Sequence, residues 1–161
     1  MSTFENDQFR WRETYFVLFD SAKRPKLDDV VKRLAALDNH FVLTNSSGDS
    51  QGRLESITIL SPDDYAAMDV CYLTGDEVRD QTLELVKDLK QGDLRGEELK
   101  KAKKITEFDA RFDVLHFEQI AGLDEDEADE MFDPSSLLVV LEALVEITGG
   151  VAIDPQSGAP L

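Results

Sequence analysis

Between His40 and Leu73 three strand-like stretches follow one another, with no segment between them long or periodic enough to be a helix. His40–Thr44 is apolar at its centre. Leu54–Leu60 alternates, with Leu54, Ser56, Thr58 and Leu60 on one side and Glu55, Ile57 and Ile59 on the other, and Met68–Leu73 comes next. Parallel neighbours need a crossover of a dozen or more residues, usually a helix. These stretches must therefore be joined by turns. The Asn45–Gly52 run reads as the loop of a hairpin, and Ser61-Pro62-Asp63-Asp64 as a break before the third strand. A doubly wound parallel sheet is excluded on this ground.

Helical spacing lies on either side of that region. Leu27, Val30, Val31, Leu34 and Leu37 recur at helical intervals with Asp28, Asp29, Lys32 and Arg33 opposite them, so an amphipathic helix ending near Asp38-Asn39 is expected. Thr74 and Glu77 have capping-box spacing ahead of a stripe of Val78, Thr82, Leu85, Val86 and Leu89 that stops at Gln91-Gly92. Glu97–Ile105 reads as a short exposed helix. Asp133-Pro134 opens a helix to Thr148 that is apolar around most of its circumference, with only Glu142 and Glu146 charged in its body, and Gly149-Gly150 closes it. Further strands are expected at Thr14–Phe19, Ala110–Phe117 and Val151–Ile153. Residues 1–13 read as a lead-in whose Phe4, Phe9 and Trp11 are apolar enough to dock.

The expected fold class is α+β. It is a ferredoxin-like or related open-faced sandwich, with a mixed or antiparallel sheet and helices packed on it, in one domain over residues 1–161. The 161 residues suffice for a real core.

Charge narrows the partners. Acidic residues number 34 against 17 basic ones, a formal charge of −17. Phosphate contacts need Lys and Arg, so nucleic acid is not the expected partner. The polar, acidic start has no signal-peptide character, and no apolar run is long enough to span a membrane. With Cys71 the only cysteine, the expected location is the cytoplasm.

Chemistry-bearing motifs are sparse. No G-x-G-x-x-G, Walker, G-x-S-x-G or H-E-x-x-H pattern occurs. His40 and His116 are the only histidines. With Cys71 they are weak candidates for nucleophilic catalysis, which needs a thiolate beside a base. One cysteine and two histidines without close spacing make a poor zinc set, so no metal and no cofactor are expected. Six carboxylates, Asp124, Glu125, Asp126, Glu127, Asp129 and Glu130, crowd into seven residues. Ala128 and Asp129 stand at the fifth and sixth EF-hand positions and Ser135 at the twelfth, which is the wrong pattern for calcium. The run is instead a candidate binding site for a basic partner, favoured by long-range steering. Lys100, Lys101, Lys103 and Lys104 form the basic cluster, with Glu97 and Glu98 placed for pairing along a helix face.

The sequence thus reads as a soluble, non-catalytic interaction or regulatory module that binds a basic protein, with a homodimer through the Pro134–Thr148 helix as a further partner. Two alternatives stand beside it. One is a small-molecule-sensing α+β domain with its ligand near Asn45–Gly52 or Asp124–Asp133. The other is a hydrolase or transferase using Cys71 and His116 or a metal held by the acidic loop.

Overall fold

Strand register organises the molecule. The computed structural model describes residues 8–37, 40–90, 96–120, 126 and 134–156, with backbone alone at 88–90, 98 and 102. Its elements are β1 (Phe9–Phe19), α1 (Leu27–Ala35), β2 (Val42–Gly48), β3 (Leu54–Ser61), β4 (Ala66–Thr74), α2 (Asp76–Lys90), α3 (Glu97–Ile105), β5 (Ala110–Gln119), α4 (Ser135–Thr148) and β6 (Val151–Ile153). The six strands form one sheet in the order β2-β3-β4-β5-β1-β6. Every neighbouring pair is antiparallel. The class is therefore α+β with an antiparallel open sheet, and the turn-linked stretch between His40 and Leu73 forms the meander β2-β3-β4.

Alternation along each strand divides the side chains between two faces. On one face Val17, Phe19, Ile57, Ile59, Met68, Val70, Phe112, Val114 and Ala152 pack against Val30 and Leu34 of α1 and Leu137, Val140, Leu141, Ala143 and Leu144 of α4. Phe19 and Phe112 lie 4.7 Å apart between ring centroids, with Tyr72 against both. On the other face Leu18, Val151 and Ile153 pack with Val86 of α2, Ile105 of α3 and Phe108. Helices thus occupy both faces, where an open-faced sandwich keeps them on one.

α4 explains its own placement. It is the most apolar of the described helices, and it packs beside α1 and against β1 and β6, with seven buried residues in its length. Its end is set by glycine. Gly149 takes the left-handed cap at φ 69°, and its N–H donates to the Val145 carbonyl. A Cβ on Gly150 would stand 2.2 Å from the Leu18 carbonyl oxygen, so only glycine lets β6 come down beside β1. β5, α4 and β6 form a split β-α-β unit: β5 and β6 flank β1 and are parallel to each other.

Several expected boundaries shift. β1 starts at Phe9, so most of the described part of the expected lead-in is strand, carried across a bulge between Trp11 and Glu13. β2 runs on to Gly48 through a register shift after Thr44, leaving Asp49–Gly52 as the turn. There Asp49 accepts from the N–H groups of Gln51 and Arg53 and from the Arg24 guanidinium, which stacks on Tyr72 at 3.8 Å. The backbone N–H of Arg53 is the leading cause that holds the Asp49 carboxyl below its ordinary range. The Thr74–Glu77 capping box does not form. α2 begins at Asp76 after Gly75 at φ 119°, and the Thr74 hydroxyl donates to the Asp109 carbonyl instead. The expected caps at Asp38-Asn39 and Asp133 lie outside the described residues. Among the described residues no helix is long and apolar enough to cross a membrane.

Candidate functional site

The three weak catalytic candidates occupy three separate places. Register alternation puts Cys71 on the α2/α3 face, paired with Asp113 and Ser56, and His116 on the α1/α4 face, paired with Met68 and Glu13. The sheet itself lies between thiol and imidazole. His40 precedes β2, exposed at φ 55°, with its Nδ1 2.8 Å from the Asp63 carboxylate. Burial, then the charges of Asp69 and Asp113, push the Cys71 thiol above its ordinary range, the reverse of what an activated nucleophile needs.

Of the acidic run Asp124–Glu130, only Asp126 falls within the described residues, and it is exposed; Asp124, Glu125, Glu127, Asp129 and Glu130 lie outside them. The basic cluster sits on α3, where Lys100, Lys103 and Lys104 are exposed and Lys100 pairs with Glu97 at 3.5 Å. Ile105, at the end of the same helix, is fully buried and anchors it.

Sequence reasoning missed a polar cluster within the α1/α4 face. Phe112, Val114, His116 and Glu118 share that face by alternation. The first two enter the apolar core and the last two are equally buried but polar. His116 Nδ1 lies 3.1 Å from Glu13 Oε1. Glu118 pairs with Arg10 and, at 3.3 Å, with Arg12, both arginines being partly exposed. The β1 bulge makes this convergence, because the extra residue brings Arg10, Arg12 and Glu13 beside one short stretch of β5. Burial lowers the His116 pKa, against the raising effect of its hydrogen bond to Glu13. Nδ1 is the ring nitrogen that faces the Glu13 carboxyl group. The signal was present as polar residues at positions 116 and 118 in phase with buried ones at 112 and 114. The partner strand and its bulge carry no comparable mark.

Two surface features complete the inventory. Asp76, Asp80 and Glu84 recur every four residues on α2. All are exposed, as are Glu77 and the apolar Leu83, and Leu73 lies exposed just before the helix. Four-residue spacing places the three carboxylates on one helical face. On the α2/α3 face of β2–β4, a hollow of about 180 Å³ is lined by Asn45, Ser56, Ile57, Thr58, Asp69, Val70 and Cys71. The Thr58 hydroxyl donates to Asp69 Oδ1 at 2.7 Å. Among the described residues no group of three or more His, Cys, Asp or Glu side chains is placed to hold a metal ion. Comparison of the chain with protein-family models, with curated proteins and with solved structures finds no match.

Proposed function

We propose that this chain is a non-catalytic interaction module whose acidic surface receives a basic protein segment. The observation that carries the reading is the outer face of α2. There Asp76, Asp80 and Glu84 lie beside exposed Leu83, whose four-residue neighbours are Arg79 and Lys87, so charge and an apolar contact are offered together. A basic amphipathic helix presents the complementary pattern, with Lys and Arg around an apolar stripe. The carboxylates steer the encounter and the leucines favour one docked register. In this reading the run Asp124–Glu130 extends the same acidic attraction, and the cytoplasm is where the module works.

The test is a fluorescence-anisotropy titration with a labelled Lys/Leu amphipathic peptide and a Lys/Ser peptide of equal charge. The amphipathic peptide binds more tightly. Asp76→Asn, Asp80→Asn and Glu84→Gln combined weaken it about tenfold, as does Leu83→Ser to a smaller degree. Asp124→Asn, Asp126→Asn and Glu127→Gln combined also weaken it. Equal affinity for both peptides, or no response to the α2 substitutions, overturns the reading.

A second partner in the same proposal is another copy of the chain, docked through α4. Leu138 is 58% exposed and rims a groove of about 290 Å³ formed with Leu141, Glu142, Val145 and Ala152. As to architecture, the split unit β5-α4-β6 around β1 supports a relation to the ferredoxin-like arrangement, which is built from such units.

A further inference from the structure

The hollow on the α2/α3 face shares no residue with the α2 surface and has its own chemistry. Its floor follows from register. Thr44, Thr58 and Asp69 form one cross-strand row, and Ser56, Cys71 and Asp113 form the next. Six polar or weakly polar side chains therefore stand on the face of β2–β5 where the opposite face carries Ile57, Ile59, Met68 and Val70. Five of the six carry oxygen acceptors and the sixth is the Cys71 thiol, while Leu115 continues the first row on β5.

Position as well as composition is specified. Asn45 sits at the register shift of β2 in the left-handed region, φ 49°, and lines the hollow. Bulges of this kind re-aim a side chain that regular pairing would place elsewhere. Thr58 is 8% exposed and spends its hydroxyl proton on Asp69, which holds that carboxylate against the hollow's wall. Asp69 lines the cavity, and Asp113, which pairs with Arg111 at 2.7 Å, stands in the adjoining row. No Lys or Arg is among the lining residues.

We infer that this hollow binds a primary alkylammonium group, with Asp69 as the counter-charge and Asn45, Ser56 and Thr58 as hydroxyl and amide oxygens around the –NH₃⁺ head. An ammonium carries three donors and no acceptor, which matches the oxygens that Asn45, Ser56, Thr58 and Asp69 bring to the hollow. An anion meets the carboxylate and is repelled. The volume is below that of drug-sized sites and takes one such group, either as a free aliphatic amine or as a lysine side chain.

The experiment follows backbone amide shifts of the ¹⁵N-labelled protein at constant ionic strength. Three probes are titrated: n-pentylamine, the tripeptide Gly-Lys-Gly, and n-pentanol as the uncharged control. Saturable shifts centred on Ser56, Thr58, Asp69 and Cys71 are expected with an amine, in the roughly millimolar range for so small a ligand. Pentanol leaves these amides unmoved. Asp69→Asn weakens amine binding at least tenfold. Ser56→Leu, which fills the hollow and keeps every charge, does the same and stands in should Asp69→Asn fail to fold. Tighter binding of pentylamine identifies a free amine as the source, and tighter binding of Gly-Lys-Gly a lysine side chain. Shifts confined to the α2 carboxylates, an equal response to pentanol, or full affinity in Ser56→Leu overturns the assignment. The peptide titration of the α2 variants reads the acidic-surface proposal separately.

Discussion

The two faces of one sheet are built on different principles. The α1/α4 face is a largely apolar core from β3 across to β6, and its charged groups among the described buried residues cluster at His116, Glu118 and their partners on β1. The α2/α3 face is apolar beside β1 and β6 and carries a polar patch over β3–β5, where Thr58, Asp69, Cys71 and Asp113 stand next to the apolar Ala67, Leu115 and Phe117. Strand alternation makes both from alternate residues of the same strands. The contrast shows that stability is concentrated on one face, leaving part of the other free to carry polar chemistry without a large loss of core.

The largest expected difference is in stability. Phe112→Ala, on the α1/α4 face and packed against Phe19 and Tyr72, costs about 3–5 kcal/mol by denaturant unfolding. Cys71→Ala, on the opposite face of the neighbouring strand, costs under about 1 kcal/mol by the same measurement, since the site is partly exposed and the volume change small. Similar losses from the two would erase the contrast.

Next in size is the buried ion pair. Glu118→Ala removes a fully buried carboxylate from between two arginines that are 39% exposed and regain water. The expected cost is about 1–3 kcal/mol, below the loss when both partners are deeply buried. A value near zero would show that this cluster does not help define the α1/α4 face.

The faces also differ in pH response. His116 is lowered by burial, so the folded chain binds fewer protons than the unfolded one below the ordinary histidine value of 6.5. Its contribution is complete above that value and is lost as pH falls toward the depressed folded pKa. Cys71 is raised by burial and by two carboxylates, so the folded chain holds the thiol proton where the unfolded chain has released it, and stability declines as pH rises above 9.0. Melting curves across pH should show both limbs. His116→Gln flattens the acid limb alone and Cys71→Ala the alkaline limb alone; a swap of these effects would refute the placement of the two groups.

The smallest effect on stability is expected at Leu138. Leu138→Glu, at an exposed position, changes unfolding by less than about 0.5 kcal/mol. If α4 docks a second copy, sedimentation equilibrium shows association weakened at least tenfold; an unchanged oligomeric state removes the homodimer proposal.

Much of the fold was legible locally because its signals are local. The alternation of Leu54–Leu60, the heptad-like recurrence from Leu27 to Leu34 and the Gly149-Gly150 stop each reflect the backbone periods of strand, helix and cap. The N-terminal extent of β1 was not legible. Phe9–Glu13 becomes strand by pairing with residues 116–119, more than a hundred positions away, and its bulge has no composition signature. The Thr74 cap failed for a similar reason: an acceptor just before β5, the Asp109 carbonyl, took the hydroxyl that a local motif assigned to the helix.

The site divides along the same line. That Cys71, His40 and His116 are the chain's only thiol and imidazoles follows from composition; that the sheet separates Cys71 from His116 depends on the register of β4 against β5. The sequence by itself determined the antiparallel meander, the net negative charge and the strongly apolar α4, because chain length between strands, composition and periodicity are properties of the chain itself. Tertiary structure decided the strand order, the occupation of both faces by helices, the polar cluster around His116 and the hollow beside Asp69. These arise where distant segments meet, and a one-residue change of register would send each side chain to the opposite face.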